Sequence, residues 1–150
     1  MRYWWLPILL CGNAVFADVR AEIAKEYLRS TEATSLKYLD GVYSIRAPKF
    51  QLFNAENLDL DLRVERTRWE AVIQPAVQVK EKVDIKSLQQ LSPDRVQCDV
   101  TYLTKLVVVN QLTGNEDEQI LTTGCRDLWV LLKGRWRLLS THVTQQEFNR

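Results

Sequence analysis

The sequence predicts an α+β domain in which N-terminal helices pack on one face of a curved antiparallel sheet. Three observations carry that prediction. Helical spacing of apolar residues is confined to the first half of the chain, strict alternation begins after Pro75, and the alternating runs are joined by short polar or glycine-containing turns.

Taken in order, Val19, Ile23, Ala24, Tyr27 and Leu28 make one apolar helical face over Val19 to about Arg29. A second helical stretch carries Leu36, Leu39, Val42 and Tyr43, with Gly41 as its weak point. Ala47-Pro48 should end it, since the residue before proline is pushed out of the helical region. Phe50 to Phe53 reads as a short strand, and Asn57 or Asp59 can cap a third helix from Leu60 to Gln74, stopped by Pro75.

Beyond Pro75, Val77, Val79, Glu81, Val83 and Ile85 alternate with polar residues. Ser92-Pro93-Asp94 is a turn signal, and Val96 to Val109 is long and β-branched. A polar loop at Thr113–Glu118 leads to a strand from Ile120 to Leu132. Lys133-Gly134 then turns the chain into a last strand, Arg135 to about Gln146. Helices followed by a four-strand meander predict a partial cone, with a pocket between its concave side and the helices.

The first seventeen residues stand apart. Arg2 is followed by an almost wholly apolar run from Tyr3 to Phe16, and Val15-Phe16-Ala17 places modest residues before Asp18. This is the three-part pattern of a secretory signal peptide, cleaved after Ala17. The apolar run is shorter than the ~20 residues of a spanning helix. A lipid-bearing Cys11 is disfavoured, because Leu10 stands where a small residue is expected. Residues 1–17 therefore read as an address, and 18–150 as one domain secreted or delivered to the periplasm.

The 150 residues are 46% hydrophobic and 26% charged, as in ordinary globular proteins. The formal charge of +1 belongs to Arg2, so the domain that follows has 19 basic and 19 acidic residues. Neutrality argues against nucleic acid as a partner and against a polybasic membrane surface. Membrane contact is expected only during export.

The segment Arg126-Asp127-Leu128-Trp129 through Lys133-Gly134-Arg135-Trp136 resembles the final hairpin of nuclear transport factor 2-like proteins, particularly the SnoaL-like bacterial branch. Tyr43, Ala47-Pro48 and Phe50 are similar to that family's link between second helix and first strand, and Trp69-Glu70 fits its third helix. The likeness spans Val19 to Phe148. It implies a cone of curved sheet and three helices around a pocket, often as a homodimer. It leaves activity open, since the family holds isomerases, dehydratases and non-catalytic binding proteins.

The Lys133-Gly134 turn sets a register for the last hairpin. Leu131 is expected opposite Trp136, Trp129 opposite Leu138, Asp127 opposite Ser140 and Cys125 opposite His142, all on one side. A bulge would swap faces partway along. Leu128, Val130, Leu132, Leu139 and Val143 make the other side, to be covered by helices or a dimer partner.

Candidate pocket residues are Trp69, Tyr102, Asp127, Trp129 and His142. The expected function is binding a small, partly apolar molecule or a protein partner, without cofactor or metal. The alternative is a small isomerase or lyase with Asp127 as base and His142 as acid. Against it, one Asp and one His make no site without positioned partners. A third reading is assembly through a homodimer face. One His and two separated Cys match no zinc spacing. A Cys125 thiolate activated by His142 is disfavoured, since buried strand cysteines are usually inert. A loop centred near Asn115–Glu116 would put Cys98 ~25 Å along the strand from Cys125. That opposes a disulfide, which needs Cα atoms within ~7 Å. Arg63, Glu65, Arg66 and Arg68 read as a solvated helix face.

Overall fold

The computed structural model describes residues 8–54 and 59–149. The expected signal segment lies partly outside them, as does Asn57. The elements are α1 (Ile8–Ser35), α2 (Leu39–Tyr43), β1 (Arg46–Phe53), β2 (Asp59–Asp61), α3 (Leu62–Ile73), β3 (Gln78–Ser92), β4 (Arg95–Val109), β5 (Glu116–Leu132) and β6 (Arg135–Asn149). The expected α+β order is present. Among the described residues no helix is long and apolar enough to cross a membrane.

Helix α1 is longer than its apolar spacing predicts. Val19, Ile23 and Tyr27 are buried as expected, but Ser30, Thr31 and Thr34 continue the same buried face. Their hydroxyls are satisfied locally: Thr34 donates to the Ser30 carbonyl at 3.1 Å and Thr31 to that of Leu28 at 3.1 Å. This back-bonding lets polar residues occupy a buried stripe. The helix stops where Lys37 takes a left-handed φ of 57° and Tyr38 N–H reaches back to the Ala33 carbonyl at 2.8 Å.

The short α2 packs on α1 through Gly41. A Cβ there would lie 2.6 Å from Tyr38 Cδ1 and 2.8 Å from Ala33 Cβ, so this glycine permits close packing. The helix ends at Tyr43 rather than at Ala47-Pro48, and both of those residues lie in β1. Pro48 is tolerated because β1 is irregular between Arg46 and Gln51, where no ladder partner is required of it. The cap of α3 is Asp61, whose Oδ1 accepts from Val64 N–H at 2.9 Å.

The six strands lie in the order β2-β1-β6-β5-β4-β3. The expected meander β3–β6 is antiparallel throughout, while β1 extends it by running parallel to β6. One apolar cluster centres on Tyr27, Val96, Cys98, Trp129 and Leu138, and a second on Val42, Ile73, Val79 and Leu106. Trp129 belongs to the first cluster and Tyr102 packs against it, while Trp69 packs against the second.

Candidate ligand cavity and the buried Asp127 network

The register of the last hairpin positions most of the candidates. Leu132↔Arg135, Leu131↔Trp136 and Trp129↔Leu138 pair as the turn dictates, but Leu128 pairs with Ser140. One extra residue is absorbed at Leu139, so Asp127 faces Thr141 and Cys125 faces Val143. The expected pairs Asp127–Ser140 and Cys125–His142 do not form. His142 stands opposite Arg126, exposed on the outer face, with its ring stacked on Phe53 at 4.2 Å and 17°. A one-residue slip reverses facing because side chains alternate.

Asp127 is fully buried at the centre of a closed network. Its Oδ2 accepts from Tyr27 at 2.7 Å and Tyr102 at 3.0 Å, and its Oδ1 accepts from Thr141 at 2.6 Å. The Trp129 indole N–H donates to the Tyr27 oxygen at 2.9 Å, with the two rings edge to face at 4.8 Å. Burial raises the Asp127 pKa, and the three hydroxyl donors pull against it. The carboxylate has partners on both oxygens and does not line the cavity described next. Asp127 and Trp129 are therefore the interior scaffold behind Tyr102.

That cavity, of about 170 Å³, lies where the two apolar clusters meet. Val42, Ile45, Phe50, Leu138 and Val143 make apolar walls, and Tyr102 and Trp69 border it. Of the five candidates, Trp69 and Tyr102 line this space, while Asp127, Trp129 and His142 do not.

The polar end of the cavity holds Arg46, Glu65 and Glu81. Arg46 enters from the start of β1. Its Nη1 donates to the Val42 carbonyl at 2.8 Å, and its Nη2 pairs with Glu65 Oε1 at 3.3 Å. The guanidinium lies over the rings of Tyr43 at 4.3 Å and Phe50 at 5.0 Å. Side-chain exposure is 12% for both Arg46 and Glu65, so this is a desolvated pair. Glu65 therefore departs from the expected solvated helix face. Arg66 also turns inward enough to lie 5.5 Å from the Tyr43 ring centroid while pairing with Asp40 at 2.7 Å.

Three buried atoms here have no hydrogen-bond partner: Arg46 Nε, Glu65 Oε2 and the Tyr43 hydroxyl. Burial, and then the Glu65 charge beside its hydroxyl, push the Tyr43 pKa up. Glu81 Oε2 accepts from Thr104 at 3.0 Å. Burial lifts its pKa against the pull of the Thr34 and Thr104 hydroxyls. Native proteins leave few buried polar atoms unpaired; two of these three belong to the cavity-lining Arg46 and Glu65, and the third lies beside Glu65.

Sequence reasoning missed Arg46, Glu65 and Glu81 as a group. One signal was available: Glu81 sits on the inward, apolar side of an alternating strand. Among the described residues no group of three His, Cys, Asp or Glu side chains converges to hold a metal.

No protein-family model matches the chain, and no curated protein matches it in sequence. Solved structures do match. A scytalone dehydratase-like protein from Novosphingobium aromaticivorans superposes with a TM-score of 0.76 at 11% identity, covering 92% of each chain. The chain has the nuclear transport factor 2-like fold. A hexachlorocyclohexane dehydrochlorinase, LinA type 2, shares it with a TM-score of 0.67 at 12% identity, covering 92% of this chain and 93% of that one. A nuclear transport factor 2-like superfamily protein from Salmonella enterica does so with a TM-score of 0.63 at 10% identity, covering 85% and 91%. At such identities the likeness concerns the fold, and function must come from the site.

Proposed function

We propose that this chain is an exported, single-domain binding protein of the SnoaL-like branch that holds a small, partly apolar molecule in the Arg46–Glu65 cavity. The carrying observation is a space of about 170 Å³ whose lining combines apolar side chains with the Arg46–Glu65 ion pair and the Glu81 carboxyl. A cavity near 150 Å³ holds one benzene-sized molecule, which sets the scale of the ligand. The signal-like pattern ending at Ala17 supports export, and the Asp-x-Trp…Gly-x-Trp hairpin supports the branch. Homodimerisation belongs to the same reading. It draws on Leu128 and Leu139, which stay half-buried, and less on Val130, which is covered within the chain.

The test is native purification followed by mass spectrometry of what denaturation releases. A small molecule should leave with wild type and be absent from Leu121→Trp, which places an indole at the half-buried rim. Absence from both, with no stabilising hit in a fragment screen that Leu121→Trp abolishes, would sink the binding reading.

A second reading, proton-transfer catalysis by an isomerase or lyase, is favoured by one observation. A half-buried carboxyl, Glu81, lines the cavity with its pKa raised. In that case Glu81 takes the place expected of Asp127, which is sealed behind Tyr102. Solvent deuterium exchange into cyclic ketones should then require Glu81 and be lost in Glu81→Gln; equal exchange in both proteins ends this reading.

A further inference from the structure

The charges around the cavity do not balance, and the surplus is negative; this step rests on the binding reading and narrows its ligand. Arg46 is the only cation among the described lining residues, and Glu65 already pairs with it at 3.3 Å. That leaves Glu81, which among the described residues forms no ion pair. Its Oε2 accepts from the neutral Thr104 hydroxyl at 3.0 Å, and Thr104 lines the same space, so the carboxyl stands at the cavity wall. Behind Tyr102, Asp127 adds another carboxyl held by three hydroxyls. Hydroxyl donors orient a carboxylate without cancelling its charge. Burial raises the Glu81 pKa, the direction of a carboxyl that lacks a cation.

The walls suit the same sign of ligand. Trp69 and Tyr102 border the space, and neither takes part in the contacts that the Arg46 guanidinium makes with the Tyr43 and Phe50 rings. A ring face attracts a cation, most strongly where water is excluded. Tyr102 also donates to Asp127 at 3.0 Å, which polarises its ring toward negative charge. An anionic ligand would meet Glu81 with no free cation to offset the repulsion, and a neutral one would leave that carboxylate uncompensated. Val42, Ile45 and Leu138 favour a hydrocarbon body, and the volume limits it to about one ring.

We infer that the cavity takes a small organic cation, a protonated amine with a hydrocarbon body of about one ring, its ammonium set on the Glu81 carboxylate.

The experiment titrates the purified protein with cyclohexylamine, cyclohexanol and cyclohexanecarboxylate, which share a ring and differ in the charge of the head group. Amide and indole shifts in nitrogen-labelled protein report binding at physiological ionic strength, where pairing with surface carboxylates is screened. Cyclohexylamine should bind about tenfold or more tightly than cyclohexanol, with cyclohexanecarboxylate weakest, and the shifts should centre on the Trp69 indole and the Thr104 amide. Glu81→Gln keeps an oxygen for the Thr104 hydroxyl and removes the charge. In that variant the advantage of the amine should vanish while cyclohexanol binds as in wild type. Should the variant fail to fold, the wild-type ranking decides alone. Cyclohexanol or cyclohexanecarboxylate binding as tightly as cyclohexylamine, or an amine preference that survives in Glu81→Gln, would overturn the cation inference and leave a binding cavity standing. No response to any of the three compounds would remove both.

Discussion

The Tyr27 hydroxyl of α1 donates to Asp127 Oδ2 of β5 at 2.7 Å, tying the first helix to the centre of the sheet. The same oxygen accepts the Trp129 indole N–H at 2.9 Å, so one hydroxyl satisfies two buried groups. The link fixes how α1 lies across the cone, and Tyr102, held by the same carboxylate, forms part of the cavity wall.

Tyr27→Phe should therefore destabilise the fold without emptying much volume. It leaves the Trp129 N–H unpaired and removes one of the three hydroxyl donors to Asp127. The expected loss is about 1–3 kcal/mol, the cost of a buried group left unsatisfied. Urea unfolding checks it: the midpoint should drop while the slope stays that of wild type. An unchanged midpoint would mean that water replaces the hydroxyl.

The two buried cysteines should be silent until the protein unfolds. Cys98 and Cys125 are free thiols on the inward face, where Cys98 stands opposite Asp127 and Cys125 opposite Val100. Burial, and then the Asp127 charge, push the Cys98 thiol up to about 12 and raise that of Cys125 as well. Thiolate is the reactive form, so alkylation at mildly alkaline pH should leave both unmodified in the native protein and label both in denaturant. The pair lies much nearer together than the expected loop position implied. Two rungs of register still leave them diagonal, at about 7–8 Å, beyond easy bridging.

That register error shows where the sequence stops being legible. The Lys133-Gly134 turn was readable because both residues adopt positive φ, 50° and 77°, which locks a two-residue hairpin. The β4–β5 turn was misplaced because Glu116, Asp117 and Glu118 look like loop residues. They are strand, paired with Val109, Val108 and Val107 on a solvent-exposed end where alternation carries no burial signal. The chain reverses earlier, where Asn110 Oδ1 accepts from Leu112 and Thr113 N–H at 3.0 and 3.3 Å. The bulge at Leu139 has no residue signature, yet it alone decides that Thr141 rather than Ser140 meets Asp127. The Arg46–Glu65 pair joins β1 to α3 across nineteen positions of chain, a contact that spacing cannot reveal.

The buried carboxyls should make stability fall as pH rises above the ordinary carboxylate range. Glu81 and Asp127 both have raised pKa values, caused first by burial. Between the unfolded and folded pKa values the native state binds more protons than the unfolded state. Their contribution is thus fully present below the unfolded value and is lost as pH rises through the folded one. Asp99 works the other way, its pKa lowered by Arg126 and Ser87, but its effect is confined to acid below the ordinary range. The urea midpoint of wild type should fall as pH rises above the ordinary carboxylate range, and Glu81→Gln should flatten that fall. The glutamine keeps an oxygen for the Thr104 hydroxyl, so the variant should fold. A variant whose pH profile parallels wild type would show that Glu81 does not titrate in this range.

His142 should prove structural, and its variant separates the outer face from the cavity. The residue is exposed, stacked on Phe53 of β1, and placed across the sheet from Asp127 by the Leu139 bulge. Stacked aromatic pairs contribute about 0.5–1.5 kcal/mol beyond buried area, and this one clips the parallel β1 to β6. His142→Ala should lower stability by an amount of that order, and His142→Tyr should restore most of it. Affinity for any cavity ligand should be unchanged in both variants, since no His142 atom faces that space. Calorimetric titration beside thermal unfolding makes the comparison. A loss of affinity in His142→Ala that His142→Tyr does not rescue would place the imidazole in the functional site and overturn the facing set by the bulge.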